Sequence, residues 1–294
     1  MARVPAAEVE IDEDLVRRLL ADQQPDLAGL PLRRYANGWD NAVVRLGGDL
    51  VVRLPRRAAA AQLILNEKRW LPELAGRLPV DVPVPLRRGT ATAYYPWGWS
   101  VSRWMPGTSA AGVPARDRGA VPEPLAAFVA ALHRPAPADA PANPVRGVAL
   151  GTRRDAVRDR LAGGSVPHAA AVAALWEELS RERPWPGPPL WLHGDLHPAN
   201  LVLRGGALAA VIDFGDLTAG DPATDLATAW LTFDRAGRRG FVARLDELVG
   251  YDAATWRRAR GWALVLATAL LAHSDDAPVL GALGREALGE VLAG

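Results

Sequence analysis

The feature that most constrains this sequence is a stretch near its middle in which three short apolar runs alternate with polar loops. The runs cover residues 190–192, 201–203 and 210–212. Each run has the length and the apolar content of a short buried strand. Asp195, Asn200 and Asp213 stand in the loops between and after these runs. The pattern predicts a small rigid platform from which the three polar side chains project into a common space.

The two carboxylates and the amide in these loops suit a divalent cation and phosphate chemistry. Mg²⁺ prefers few protein oxygen ligands, together with water and substrate phosphates. Phosphoryl transfer to a hydroxyl needs such ligands and also a carboxylate that orients or deprotonates the incoming hydroxyl. Asp195, Asn200 and Asp213 together offer oxygen atoms for both tasks.

The order of these residues matches the catalytic loop and the metal-binding aspartate of protein kinases. Residues 193–200 read His-x-Asp-Leu-x-Pro-x-Asn, and Asp-Phe-Gly follows at residues 213–215. Gly194 stands where protein kinases have Arg, and the sequence lacks the Ala-Pro-Glu element that closes their activation segment. An isolated Asp-Phe-Gly or His-Gly-Asp is more often a turn than a site. The prediction therefore depends on both motifs occurring together and in this order.

The same residues resemble the aminoglycoside phosphotransferase family. Its loop reads His-Gly-Asp-Leu-His-x-x-Asn, as at residues 193–200, and its continuation is present here at residues 212–216 and 220–227. The resemblance implies an α+β, two-lobed, protein-kinase-like fold, with a small antiparallel β-sheet N-lobe and a larger, mainly helical C-lobe. It implies an enzyme that transfers phosphate from ATP or GTP, with Mg²⁺, to a hydroxyl of a small molecule.

The resemblance also implies a role for each residue that matches the family motifs. Asp195 is similar to the catalytic base, and Asn200 and Asp213 are similar to the Mg²⁺ ligands. His193 is similar to a structural histidine that braces the loop. Asp225 resembles a buried carboxylate that opens the next helix and ties down the catalytic loop, and its position is also that of a fair N-cap. For His197, a loop-bracing role is favoured over metal binding, because no second His or Cys stands at ligand spacing.

The hydrophobic patterns divide the chain into a β-rich and a helical part. Short β-favouring runs fill the first hundred residues, and Gly47–Gly48 between two of them predicts a two-residue hairpin turn. Helical patterns dominate after Pro106–Gly107. We therefore expect a nucleotide-binding N-lobe over residues 1–104 and a catalytic and substrate-binding C-lobe over residues 105–294.

The resemblance predicts nucleotide contacts in the first part. Arg53 occupies the strand position at which relatives carry a phosphate-contacting Lys, and Arg can make the same charge contact. Glu67, in the following helical segment, is the carboxylate expected to pair with it. The remaining cofactor-binding candidates are a glycine in the predicted phosphate-covering loop and the predicted inter-lobe linker. They are Gly38, Ser102, Arg103, Trp104 and Met105.

Local charge suggests an acceptor for the phosphate. Residues 191–235 contain six aspartates and only two basic residues. An acidic floor formed by Asp216, Asp221 and Asp234 favours a cationic substrate, such as an aminoglycoside or another basic antibiotic. The alternative for Asp216 and Asp221 is that they only cap turns. A macrolide kinase, a housekeeping metabolite kinase and a catalytically silent ligand sensor are the competing hypotheses.

Composition excludes several other classes. The chain has no cysteine, so disulfides, thiolate nucleophiles and Cys-based metal sites are excluded. The net charge of +1 gives no overall field that points to nucleic acid. The longest apolar stretch, residues 262–272, is too short to span a bilayer. We expect a cytoplasmic protein whose partners are a nucleotide and a small hydroxyl acceptor, with no nucleic-acid or membrane partner.

Overall fold

The computed structural model describes residues 6–37, 40–274 and 277–294. Contacts between residues divide them into two compact units. The N-terminal unit contains the described residues as far as Gly76, together with Val82–Met105. The C-terminal unit contains Arg77–Asp81 and Pro106–Gly294.

The N-terminal unit is an antiparallel sheet with two helices. Its helices are α1 (Glu13–Gln23) and α2 (Ala58–Ala75). Its strands are β1 (Leu32–Asn37), β2 (Asn41–Leu46), β3 (Leu50–Pro55), β4 (Pro85–Gly89) and β5 (Trp99–Arg103). The strand order is β1-β2-β3-β5-β4, so β3 lies at the centre of the sheet. Asp12 caps α1 by accepting a hydrogen bond from the backbone N–H of Leu15.

The hairpin between β2 and β3 has a three-residue loop, and the predicted two-residue turn is wrong. Leu46 pairs with Leu50, which leaves Gly47, Gly48 and Asp49 to connect the strands. Gly47 has a positive φ of 59° and Gly48 does not, whereas a two-residue type I′ turn needs a positive φ at both of its central residues. In this register Arg53 on β3 lies opposite Val43.

The C-terminal unit contains eight of the helices described: α3 (Pro122–Leu132), α4 (Arg154–Ala162), α5 (Ala169–Leu179), α6 (Ala223–Leu226), α7 (Thr228–Thr232), α8 (Arg235–Leu248), α9 (Ala253–Ala272) and α10 (Pro278–Ala293). Helix α9 is buried along most of its length, including Trp262, and packs against α6 and α10. It is the central helix of this unit. Within the described ranges, every helix is too short or too polar to span a lipid bilayer.

Five short strands complete the C-terminal unit: β6 (Thr108–Ser109), β7 (Leu190–Leu192), β8 (Leu201–Arg204), β9 (Ala207–Val211) and β10 (Thr218–Gly220). Strand β8 pairs with β6 and β9, and β7 pairs with β10. The first two apolar runs of the sequence thus lie in strands β7 and β8, and the third, residues 210–212, overlaps the end of β9 and leaves Ile212 outside it. Their connecting loops carry the polar motif, as a platform of short strands requires.

An antiparallel sheet in the N-terminal unit and a mainly helical C-terminal unit confirm the predicted α+β fold class.

Candidate active site

The loop after β7 joins Asp195 to Asn200 directly. A short 3₁₀ helix, Pro198–Asn200, turns the chain back so that the Asn200 side chain faces the start of the loop. Asn200 Nδ2 donates to the Asp195 backbone oxygen over 2.8 Å and lies 3.3 Å from its carboxylate Oδ2. The carboxylate of Asp195 is 27% exposed, which leaves one side of it accessible.

His193 braces the loop from inside. Its side chain is fully buried, and Nδ1 accepts a hydrogen bond from the backbone N–H of Asp195 over 3.2 Å. Nε2 lies 2.9 Å from the backbone oxygen of Ile212 and donates to it, since Nδ1 is the acceptor. The imidazole therefore links the loop of Asp195 to the residue that precedes Asp213.

Asp225 holds the same loop through its backbone. Its fully buried carboxylate accepts from the N–H of His193 over 2.7 Å and from the N–H of Gly194 over 2.8 Å. His133 Nε2 lies 3.3 Å from Oδ2, the carboxylate oxygen that accepts from His193. Asp225 does not open a helix, because α6 begins at Ala223. The expected N-cap is thus wrong, while the contact with the loop is present.

Asp213 lies beside this loop in an unusual backbone conformation. Its φ and ψ are 63° and 69°, in the left-handed region that non-glycine residues seldom adopt. The N–H of Ile212 donates to the backbone oxygen of Asn200 over 2.9 Å, which fixes the approach of the chain. The charge of Asp213 acts on His197 and Asp216, as the charge of Asp195 does. The structure therefore brings Asp213 into the neighbourhood of Asp195 and Asn200.

Two basic side chains flank the Asp195 carboxylate. His197 Nε2 lies 3.2 Å from Oδ2, and Arg146 Nη2 lies 3.3 Å from Oδ1. Burial alone disfavours the ionised form, but the charge and hydrogen bond of His197 and the charge of Arg146 outweigh it and lower the pKa of Asp195 below its usual range. Burial likewise opposes a charged imidazole, and the Asp195 carboxylate nevertheless raises the pKa of His197. Asp195 is therefore an ionised carboxylate held in place by an ion pair with Arg146 and a hydrogen bond from His197.

The sequence predicts only part of this network. His197 does brace the loop, since its Nδ1 accepts from the N–H of Ala199. Its contact with Asp195 was not foreseen. Arg146 was missed entirely, because it lies 49 residues before Asp195 in a segment without a motif. Its position after a Pro-rich stretch carried no signal that could have singled it out among so many arginines.

The donor atoms beside Asp195 fit the predicted magnesium ligands. Asn200 uses its amide nitrogen for Asp195, which leaves its amide oxygen as the ligand atom. Asp213 adds an exposed carboxylate. One amide oxygen and one carboxylate are a donor set typical of Mg²⁺ bound together with nucleotide phosphates. Among the described residues there is no group of three or more His, Cys, Asp or Glu side chains that could hold a metal.

The three aspartates of the predicted acidic floor do not form one acidic surface. Asp221 is 4% exposed and forms a buried ion pair with Arg258, whose Nε lies 2.8 Å from Oδ2. It also accepts from the N–H of Ala223, so a substrate cannot use its carboxylate, and the prediction for Asp221 is wrong. Asp234 caps α8 by accepting from the N–H of Gly237. This structural role accounts for Asp234 without a substrate.

Asp216 is the member of that group that lies at the site. Its carboxylate accepts from Asn143 Nδ2 over 2.8 Å. Burial, helped by the negative charge of Asp195, raises the pKa of Asp216, while Arg146 and Asn143 oppose the shift. The segment that contains Asn143 and Arg146 thus contacts both Asp216 and Asp195.

In the N-terminal unit, Arg53 on β3 and Glu67 on α2 form an ion pair between Nη1 and Oε2. Glu67 is 1% exposed and Arg53 is 8% exposed, so both charges are withdrawn from water. A buried pair fixes the direction of the guanidinium more firmly than a surface pair can. Their role towards a nucleotide stays a prediction.

Removal of the carboxylate from this pair is expected to destabilise the protein. Glu67→Ala removes the carboxylate that pairs with the buried Arg53 guanidinium, at a cost of about 3 kcal/mol in the free energy of unfolding. Urea denaturation of the two proteins checks this value. Glu73→Ala, at an exposed position later in the same helix, serves as the control and should cost less than about 1 kcal/mol. Equal stability of Glu67→Ala and the unaltered protein would show that the pair is not structurally important.

The predicted linker residues are partly in the sheet. Ser102 and Arg103 belong to β5, and Ser102 pairs with Val51 on one side and Pro85 on the other. The backbone N–H of Trp104 donates to the oxygen of Asp49. The backbone of Ser102, Arg103 and Trp104 is therefore held by the sheet or by Asp49. Of the four predicted linker residues, Met105 is the one that lies beyond both β5 and the hydrogen bond of Trp104. Gly38 lies outside the described residues.

Solved structures with the same fold include small-molecule phosphotransferases. A GDP complex of wild-type aminoglycoside 2'-phosphotransferase-IIIa has a TM-score of 0.69 at 19% identity and covers 96% of this chain and 99% of that one. The macrolide 2'-phosphotransferase MphH from Brachybacterium faecium has a TM-score of 0.60 at 26% identity over 95% and 98%. A streptomycin–ATP complex of APH(2")-IIa has a TM-score of 0.61 at 16% identity over 90% and 91%.

A sequence profile of the phosphotransferase enzyme family (APH) matches residues 31–262, and the chain belongs to this family. The resemblance seen in the motifs is thereby confirmed. A search of curated protein sequences finds no match. The protein is a small-molecule phosphotransferase.

Proposed function

We propose that the protein transfers the γ-phosphate of ATP or GTP to a hydroxyl group of a small molecule, with Asp195 as the group that receives the acceptor hydroxyl. The observation that carries the proposal is the joint placement of Asp195 and Asn200 on one loop, with Asp213 beside it. These side chains supply the carboxylate and the oxygen ligands that phosphoryl transfer needs.

The network around Asp195 suits the orientation of a hydroxyl. The lowered pKa keeps the carboxylate ionised at neutral pH, so it accepts a hydrogen bond and does not donate one. A carboxylate of low pKa is a weak base, and it removes the proton only when the hydroxyl becomes acidic as its bond to phosphorus forms. A loose transition state needs little help from a strong base. Orientation by Asp195 is therefore its main contribution.

Asn200 Oδ1 and the Asp213 carboxylate are the atoms that would hold Mg²⁺. The ion, when bound, neutralises charge on the transferred phosphate. Arg53, whose direction is fixed by Glu67, supplies a fixed positive charge for nucleotide phosphates in the N-terminal unit. The similar structures include complexes with GDP and with ATP, so either nucleotide is compatible with this proposal.

The acceptor is less closely defined than the reaction. Of the aspartates on which the prediction of a cationic acceptor rested, Asp216 lies at the site. Some similar structures are complexes with the aminoglycosides streptomycin and gentamicin. A macrolide hydroxyl is the alternative, favoured by the 26% identity to a macrolide 2'-phosphotransferase. A housekeeping metabolite acceptor is a third possibility.

A panel of acceptors tests the proposed reaction. The purified protein is incubated with ATP or GTP and with aminoglycosides, macrolides, sugars, amino alcohols and hydroxy acids, and nucleotide consumption is measured. We expect at least one acceptor to stimulate consumption and to gain a phosphate detectable by mass spectrometry. Omission of Mg²⁺, or addition of EDTA, should abolish this activity because the donor phosphates lose their counter-charge. Nucleotide binding without turnover on any acceptor would favour the ligand-sensor hypothesis.

A further inference from the structure

Three arginines form a positively charged cluster next to the catalytic loop. Arg146 contacts Asp195, and Arg153 ends the 3₁₀ helix Leu150–Arg153 that leads directly into α4. Arg160 follows seven residues later, so it lies on the same side of the helix as Arg153. We call Arg146, Arg153 and Arg160 the arginine cluster.

The cluster is incompletely neutralised by the protein. Within the described part of the chain, Asp195 is the one carboxylate within 4.0 Å of any of the three guanidinium groups. Arg160 instead donates through Nη1 to the backbone oxygen of Val265 over 2.9 Å. The Nε atoms of Arg146 and Arg153 are buried and have no hydrogen-bond partner among the residues that the structure describes. Buried N–H donors without a partner are costly, and natural proteins retain few of them.

The three positive charges also act on one another. Burial and the charge of Arg146 lower the pKa of Arg153. Burial, followed by the charges of Arg153 and Arg146, lowers the pKa of Arg160 to about 10, so it remains protonated at neutral pH. Repulsion of this kind destabilises the folded protein, and a bound anion would relieve it.

The neighbouring arginines on the same helix behave differently. Arg154 lies 2.9 Å from Glu177, and Arg158 lies 2.8 Å from Asp155. Both are exposed and have acidic partners. Within the described ranges, the lack of acidic partners for Arg153 and Arg160 is therefore a property of one helix face and does not follow from the arginine-rich composition.

We propose that the arginine cluster is an anion-binding subsite, which receives a carboxylate, sulfate or phosphate group carried by the hydroxyl acceptor. Guanidinium groups bind such groups with paired, charge-assisted hydrogen bonds. Arg146 connects the subsite to Asp195, so an acceptor held by its acidic group at the cluster has its hydroxyl close to the carboxylate that receives it. This inference rests on the proposed function and names an acceptor class different from the cationic one predicted from the sequence.

Binding of inorganic phosphate tests the subsite without any turnover. Isothermal titration with phosphate, at an ionic strength held constant with NaCl, compares the unaltered protein with Arg153→Gln, Arg160→Gln and Arg158→Gln. We expect the first two substitutions to weaken phosphate binding about tenfold or more, because each removes a charged donor. Arg158→Gln, the control on the exposed face, should bind as the unaltered protein does.

Further variants separate binding from folding. Arg153→Gln should unfold at a higher temperature than the unaltered protein in the absence of phosphate, because it removes part of the repulsion. Arg153→Lys keeps the charge and should recover part of the phosphate affinity. Equal phosphate affinity of Arg153→Gln, Arg160→Gln and the unaltered protein would overturn the proposal, as would an equal loss in Arg158→Gln.

Competition distinguishes the source of the anionic group. Hydroxy acids and sugar phosphates should displace bound phosphate, and ATP or GTP with Mg²⁺ should not. If ATP or GTP displaced the bound phosphate and the hydroxy acids and sugar phosphates did not, the cluster would belong to the donor phosphates. That result would overturn the acceptor assignment. With an active acid-bearing acceptor, Arg153→Gln should raise KM for that acceptor more than it lowers kcat. Phosphate binding without turnover on any acceptor would instead disprove the proposed reaction and leave the anion site intact.

Discussion

Replacement of Asp195 by asparagine is expected to lower kcat by about 10³-fold, the size of effect typical for loss of a positioned acid–base group. The variant keeps the shape of the side chain but loses its charge and places an amide N–H where a proton acceptor is needed. Because Arg53 and the N-terminal unit are untouched, the affinity for nucleotide should be largely unchanged. Steady-state kinetics with the best acceptor of the panel, together with nucleotide titration, checks both values.

Asp234→Asn is the matched control for this experiment. It removes the same charge from the same unit, at a helix cap and not at the loop of Asp195. Asparagine is as good an N-cap as aspartate, so stability should change little. Turnover of Asp195→Asn at the rate of Asp234→Asn would rule out Asp195 as the group that receives the hydroxyl.

The second large effect is expected at Asp225. Asp225→Ala leaves the buried N–H groups of His193 and Gly194 without their acceptor. Each lost acceptor costs about 1–3 kcal/mol, so the free energy of unfolding should fall by about 3–5 kcal/mol. The loop of Asp195 also loses its anchor, and residual folded protein should have a lower kcat. Urea denaturation and kinetics on the same preparation measure both effects.

Asp234→Ala is the reference against which the loss of unfolding free energy in Asp225→Ala is compared. A helix cap at the edge of the protein is worth about 1 kcal/mol. If Asp225→Ala were no more destabilising than Asp234→Ala, the backbone bonds of the Asp225 carboxylate would not be what holds the loop.

The sequence was sufficient to predict the platform of the site. Short apolar runs and polar loops alternate over few residues, so β7, β8 and β9 and the contact of Asp195 with Asn200 follow from local pattern and motif spacing. The two-unit α+β fold was accessible for the same reason, since strands and helices are segregated along the chain.

Other parts of the site depend on contacts between distant residues and have no local signal. Arg146 reaches Asp195 from a segment without a motif, and Arg258 neutralises Asp221 from 37 residues away. A count of aspartates cannot distinguish a carboxylate in water from one paired with a buried guanidinium. The predicted acidic floor failed for this physical reason.

Asn200 and Asp213 are proposed to hold a divalent cation for a nucleotide beside Asp195. Electron paramagnetic resonance of Mn²⁺ titrated into the protein with ADP, for the unaltered chain and for Asp213→Asn, measures this binding. We predict one Mn²⁺ site that requires the nucleotide and whose affinity falls about tenfold or more in Asp213→Asn, because a charged ligand is replaced by a neutral one. Equal Mn²⁺ affinity of the two proteins would contradict the account.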